Sequence, residues 1–95
     1  MSAYIVAEVT ITNEEQMKAY REWSTRAIQE FQAEVLVRGG TVVPLEENWA
    51  PQRVVILRFP DLATAQAYYH SATYTKARQV RQGAGTIRMF AVEGV

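Results

Sequence analysis

Four stretches read as strands, two of them (Tyr4 to Ile11 and Arg53 to Phe59) with period-two alternation, and helical spacing fills the gap between the first and second and between the third and fourth. This order, β-α-β-β-α-β, predicts an α+β chain of the split βαβ, ferredoxin-like pattern. The expected sheet is four-stranded and antiparallel, with the first and third strands central and both helical regions on one face. A length of 95 residues without repeat, low-complexity segment or long linker makes it a single domain, residues 1–95.

Tyr4 to Ile11 is the first strand, with Ile5, Ala7, Val9 and Ile11 on one face and Tyr4, Val6, Glu8 and Thr10 on the other. Thr12 or Asn13 can cap the helix that follows, and Glu15 stands three after Thr12 as in a capping box. Met17, Tyr20, Ser24, Ala27, Ile28, Phe31 and Val35 recur at helical spacing, while Glu14 with Lys18 and Glu22 with Arg26 are i,i+4 pairs of the wet face. Trp23 lies off that stripe, as cover for a partner chain or a pocket rim. The second strand is expected from Val35 to Leu45. Gly39-Gly40 reads as a bulge or a close backbone approach, and Pro44 places the strand at a sheet edge. Glu46 to Gln52 connects it to a third strand, Arg53 to Phe59, in which Val55, Leu57 and Phe59 face opposite to Val54, Ile56 and Arg58. Pro60 ends that strand and Asp61 caps the next helix, whose buried side is Leu62, Ala65, Tyr68 and Tyr69. Ser71 reads as a second cap, so the helix breaks near His70 and restarts toward Tyr74, Ala77 and Arg81. Gly83-Ala84-Gly85 stops it, and Thr86 to Glu93 is the fourth strand.

Ten basic and ten acidic side chains cancel, which argues against nucleic acid as a partner. A single Arg-Gly-Gly, Arg38 to Gly40, in a neutral and apolar setting is not an RNA-binding repeat. No apolar run reaches the roughly 20 residues of a membrane helix, and the first residues lack the basic segment of a signal peptide. A cytoplasmic protein without a membrane partner is expected. No cysteine is present and His70 is the one histidine, so neither a disulfide framework nor a multi-histidine metal site is expected, and no metal or cofactor is assigned.

Two helical regions cover only one face of a sheet. The other face still carries Tyr4, Val6, Val54, Ile56 and Phe90, with Glu8 and Arg58 placed to pair there. A bare apolar patch of this kind marks an interface. The expected partner is a second copy of the chain, sheet against sheet around a two-fold axis, which makes the assembly a dimeric α+β barrel.

No nucleophile elbow and no phosphate-binding loop occurs. The topology brings the hairpin tip, the start of the first helix and the end of the second helical region to one end of the sheet. Trp49, Glu46 and Arg53 are thereby expected near Tyr20, Tyr69, His70 and Tyr74. Arg53 is suited to clamp a carboxylate, aromatic rings supply flat apolar walls, and tyrosine or histidine can exchange a proton. Arg53 paired with Glu46, and tyrosines that only fill the core, are the structural alternative.

Tyr20, Leu36-Val37-Arg38-Gly39-Gly40, Glu46, Trp49-Ala50-Pro51-Gln52-Arg53-Val54-Val55, Phe59-Pro60, Tyr69-His70-Ser71, Tyr74 and Val92-Glu93-Gly94-Val95, in that order, resemble the domain of unknown function 1330 family over essentially the whole chain. The resemblance implies a small bacterial protein of the dimeric α+β barrel superfamily and no established reaction. Members of that superfamily include cofactor-free monooxygenases, muconolactone isomerases and haem enzymes, and fold analogy does not choose among them. The matching motif positions are Tyr20, Arg38, Glu46, Trp49, Arg53, Tyr69, Ser71 and Tyr74. The chain departs from the pattern at Thr25, where proline is frequent, at Gln32-Ala33, where Gly-Gly is frequent, and at His70, where asparagine is common. A straighter first helix that ends later is expected from the first two. A haem enzyme would need His70 as a lone axial ligand on a short helix. The reading that results is a pocket for a small aromatic or carboxylate metabolite, bound or transformed, formed by Tyr20, Arg38, Glu46, Trp49, Arg53, Tyr69, His70, Ser71 and Tyr74. The alternative is a non-catalytic structural dimer without a small-molecule ligand.

Overall fold

The computed structural model describes residues 1–95. Its elements run β1 (Ala3–Ile11), α1 (Glu14–Glu30), β2 (Glu34–Arg38), β3 (Arg53–Phe59), α2 (Leu62–His70), α3 (Ala72–Val80) and β4 (Gly85–Glu93). The sheet order is β2-β3-β1-β4 and every neighbouring pair is antiparallel. This is the ferredoxin-like α+β arrangement that the alternation predicts, with β1 and β3 central.

The caps explain where the helices start. Asn13, not Thr12, caps α1, its side chain accepting from the Gln16 N–H at 3.0 Å. Gln16 rather than Glu15 therefore holds the third helical position. Its amide donates to the carbonyls of Val80, at 2.9 Å, and Gln82, at 2.5 Å, tying the start of α1 to the end of α3. Asp61 accepts from the Thr64 N–H at 2.7 Å and Ser71 from the Tyr74 N–H at 3.1 Å, so the second helical region is two helices broken at Ser71. The later end expected for α1 is not observed. The helix stops at Glu30, and Gln32 adopts φ 52°, a left-handed conformation that a glycine takes at less cost.

Inner faces of the strands and the helices enclose the core: Ala3, Ile5, Leu57 and Phe59 from the sheet against Ala27, Ala65, Tyr68, Tyr74 and Ala77. Burial of a side chain such as Phe59 contributes about 1.5–3 kcal/mol. Trp23 packs on the margin of this core, its ring under Arg26 at 4.5 Å and Lys76 at 5.8 Å. Cα extents of 34 × 34 × 16 Å describe a slab one sheet and one helix layer thick. Tyr4, Val6, Val54 and Ile56 lie half-buried on the uncovered face, and Phe90 and Val92 are exposed.

Three sequence expectations change. Glu8 pairs with Arg88, directly opposite on β4, at 2.8 Å, and Arg58 pairs with Glu34 at 3.4 Å, so no Glu8–Arg58 pair forms. Glu14 reaches Arg21 at 2.6 Å, two turns along the helix, and neither the Glu14–Lys18 nor the Glu22–Arg26 pair forms. Finally, β2 ends at Arg38 instead of Leu45, and residues 39–52 form no strand. Pro44 cannot donate to a ladder, and Glu47 and Asn48 take left-handed φ values of 60° and 47°. No helix is long and apolar enough to cross a membrane.

Candidate functional site

A cavity lies between α1, α3 and the inner face of the sheet. Its volume is ≈ 50 Å³ and it is partly open to solvent. Thirteen of its 17 lining residues are hydrophobic, among them Ile5, Val9, Met17, Ile28, Leu57 and Met89. The remaining four are Arg21, Ser24, Arg38 and Arg53, so three guanidinium groups are its charged lining, the hydroxyls of Ser24 and of three tyrosines are its neutral polar groups, and no carboxylate lines it.

Strand parity places these arginines. Arg53 opens β3 with the parity of Val55, Leu57 and Phe59 and sits opposite Val9, which turns it toward the helices. Arg38 arrives there by a bulge. Val35 pairs with Leu57, but Val37 pairs with Ile56, leaving Leu36 as the extra residue. One extra residue exchanges the two faces of a strand. Arg38 consequently pairs with Val55 and joins the cavity lining instead of facing outward. The bulge is thus at Leu36, not at Gly39-Gly40. Gly39 has the special backbone, with φ +78°, and a Cβ there would meet the Arg53 guanidinium at 2.4 Å. Gly40 has open space around its Cα.

Arg21 is neutralised by Glu14, and Arg38 donates to the Thr25 hydroxyl at 3.0 Å. Neither Arg38 nor Arg53 has a carboxylate within 4.0 Å. Arg53 also borders an open polar cleft with Ile11, Thr12, Glu14, Gly39 and Gln52. Gln52 closes the neighbouring backbone by accepting from the Ile11 N–H at 2.7 Å.

Three tyrosines form the inner wall. The phenol oxygens of Tyr20 and Tyr74 are 2.7 Å apart and hydrogen-bonded, and their rings meet edge-on with centroids 6.2 Å apart. Tyr68 stacks against Tyr74 at 4.8 Å. Burial pushes the Tyr20, Tyr68 and Tyr74 phenols up from their ordinary value. All three are neutral at physiological pH: hydrogen-bond donors, not phenolate bases. The Arg81 guanidinium lies 5.6 Å from the Tyr20 ring centre.

Of the sequence-predicted site residues, the structure brings Tyr20, Arg38, Arg53 and Tyr74 together around this cavity. Tyr69 and His70 line a different one, of ≈ 210 Å³, between α2 and β4, with Gln66, Met89, Phe90 and Ala91 among its walls. Ser71 is the α3 cap, and its hydroxyl also donates to the Tyr68 carbonyl at 2.7 Å. Glu46 and Trp49 line neither cavity. Both are exposed in the connection after β2, Trp49 to 59%, and Glu46 does not pair with Arg53. The expected convergence of the hairpin tip on the site fails because β2 is too short to carry its tip there. Arg21, Ser24 and Tyr68 were not among the expected site residues. Their signal was helical spacing: Tyr20, Arg21, Ser24 and Ile28 share one stripe of α1, and Tyr68 stands on the predicted buried side of its helix.

Among solved structures, a protein of unknown function from Rhodopseudomonas palustris is similar to the chain with a TM-score of 0.77 at 17% identity, over 99% of this chain and 82% of that one. SnoaB, a cofactor-independent oxygenase from Streptomyces nogalater, is similar at 0.68 and 8% identity, over 99% and 93%. A dimeric ferredoxin-like protein of unknown function from Jannaschia is similar at 0.67 and 16%, over 99% and 100%. At such identities the likeness is one of fold. No functionally curated protein matches the chain in sequence. The model of the family described as domain of unknown function, DUF1330, matches residues 2–95, and the chain belongs to that family.

Proposed function

We propose that this protein binds a small organic acid with an apolar, preferably aromatic, body in the cavity between sheet and helices. One observation carries the reading: an apolar cavity whose charged lining consists of three arginines, two of them without a carboxylate partner. Arg53 is half-buried and Arg38 stands exposed at the mouth, and the planar fork of each suits a carboxylate. The apolar walls give the rest of the ligand its affinity. The narrow interior requires the body to enter by displacing side chains or to sit across the mouth.

Any transformation of such an acid would rest on neutral phenols, which can donate a proton or a hydrogen bond. The fold is shared with an oxygenase that needs no cofactor, which supports testing turnover once a ligand is known. The uncovered sheet face supports a homodimer, as does the likeness to a dimeric ferredoxin-like protein. A second copy would also offer a partner to Val43, Leu45 and Trp49, which are exposed in the connection after β2. We place the protein in a bacterial cytoplasm on its composition.

A panel of aromatic and aliphatic carboxylates, each with its uncharged amide, titrated by calorimetry, tests the reading. Acids are expected to bind and amides not. Arg53→Met should weaken every hit by about 1.5–3 kcal/mol, the scale of a hydrogen bond to a charged group. Trp49→Ala should leave binding unchanged, because Trp49 lines neither cavity. Silence across the panel from an intact dimer would favour the purely structural role, and hits that keep full affinity in Arg53→Met would place the anchor elsewhere.

A further inference from the structure

We propose that the acid bound in this cavity carries a hydroxyl on the carbon beside its carboxylate, received by the polar cleft on the far side of Arg53. The inference rests on the reading of the cavity as an organic-acid site and narrows its ligand class to 2-hydroxy acids.

The apolar cavity and the polar cleft adjoin. Ile11 and Arg53 line both, and Arg21 of the cavity is bonded to Glu14 of the cleft at 2.6 Å. The cavity is narrow, ≈ 50 Å³, whereas the cleft offers ≈ 370 Å³ open to solvent. Arg53 therefore marks the boundary between them. A carboxylate held by its guanidinium has apolar walls on one side and the cleft on the other. The apolar body takes the first side, and a substituent on the carbon beside the carboxylate takes the second. Gly39 keeps the guanidinium at this boundary, because a Cβ at position 39 would occupy the space of its nitrogens.

The cleft's own chemistry selects the substituent. Ile11 is its one hydrophobic residue, and Thr12, Glu14, Gly39, Gln52 and Arg53 complete it. The exposed Thr12 hydroxyl both donates and accepts. Glu14 accepts through the oxygen that Arg21 does not hold. The Gln52 oxygen is held by the Ile11 N–H at 2.7 Å, which leaves its amide nitrogen to donate. A hydroxyl donates and accepts through one atom and so matches a cleft that offers both. A ketone oxygen only accepts and would face the Glu14 carboxylate without a proton to give it. An ammonium would enter a lining of three arginines and one glutamate, and Arg21 already neutralises that glutamate. Such like-charge crowding repels the wrong ligand.

The test compares matched acids by calorimetry: 4-phenylbutanoate, both enantiomers of its 2-hydroxy derivative, and its 2-amino derivative. One enantiomer of the hydroxy acid is expected to bind wild-type protein about three- to tenfold more tightly than the plain acid, as one hydrogen bond allows. The amino acid should bind no more tightly than the plain acid. In the double variant Thr12→Val, Glu14→Ala the hydroxy-acid preference should fall to about twofold or less. The preference is a ratio within each protein, so a general change in acid affinity does not enter it. Melting curves establish that the double variant is folded. If it is not, magnetic resonance of the wild type decides: the hydroxy acid should shift the Thr12 amide and the Gln52 side-chain amide beyond the shifts of the plain acid, and equal shifts overturn the inference. Equal binding of the plain acid and both enantiomers, a preference that survives in the folded double variant, or tighter binding of the amino acid than of the plain acid overturns it too. Those outcomes leave the organic-acid reading standing. Absence of binding by any acid removes that reading, and this inference with it.

Discussion

Tyr68 and Tyr74 differ by one bond, and that bond separates their contributions to stability. Tyr74→Phe removes the hydrogen bond to Tyr20 and should cost about 0.5–1.5 kcal/mol. Tyr68→Phe removes a hydroxyl without a side-chain partner and should change stability by less than about 0.5 kcal/mol. Denaturant titration distinguishes the two. The same phenols set an alkaline limit. Their pKa values are raised in the folded chain by burial. Their stabilising contribution is therefore complete below the unfolded value, about 10, and is lost as pH rises above it toward the folded values. Thermal melts should fall steeply above pH about 10, and Tyr68→Phe should make the fall shallower. At this scale the sequence was partly legible. Tyr20, Arg38, Arg53 and Tyr74 meet because strand parity and helical spacing are local properties. Glu46 and Trp49 were misplaced because their position depends on where β2 ends, which no periodicity marks.

Among the elements, β2 carries the feature that organises the site. The strand starts and the break at Ser71 could be read from the apolar pattern and caps, since Asp61 and Ser71 are strong cap residues. The bulge at Leu36 could not, because Glu34 to Arg38 has no glycine or proline to announce it. Yet the bulge is what turns Arg38 inward. Gly39 follows it with a left-handed backbone and the Arg53 guanidinium against its Cα. Gly39→Val should destabilise by more than about 1 kcal/mol, the cost of a β-branched residue held there, and should weaken acid binding by displacing Arg53. Gly40→Val has open space and should stay within about 0.5 kcal/mol. Chemical denaturation of the two variants side by side checks this. Similar losses at both positions would contradict the placement of strain at Gly39.

The whole molecule is a slab with a covered and an uncovered face. Covering one face of a sheet leaves the outward residues of β1, β3 and β4 to another surface, and that much follows from the element order alone. What covers them is proposed to be a second copy. Ile56→Glu should put an unpaired carboxylate into that interface, where it is costly, and sedimentation should show monomer or unfolded chain in place of dimer. An unmodified protein that stays monomeric at high micromolar concentration would contradict the assembly. The proposed acid site lies on the other face, in the cavity beneath the helices. The most direct measurement is a nuclear magnetic resonance titration of the isotope-labelled protein with phenylbutanoate. The expected result is saturable shifts at Tyr20, Arg38, Arg53, Tyr68 and Tyr74. Shifts confined to Tyr69, His70 and Phe90 around the second cavity, or no shift at any ligand concentration, would contradict that placement.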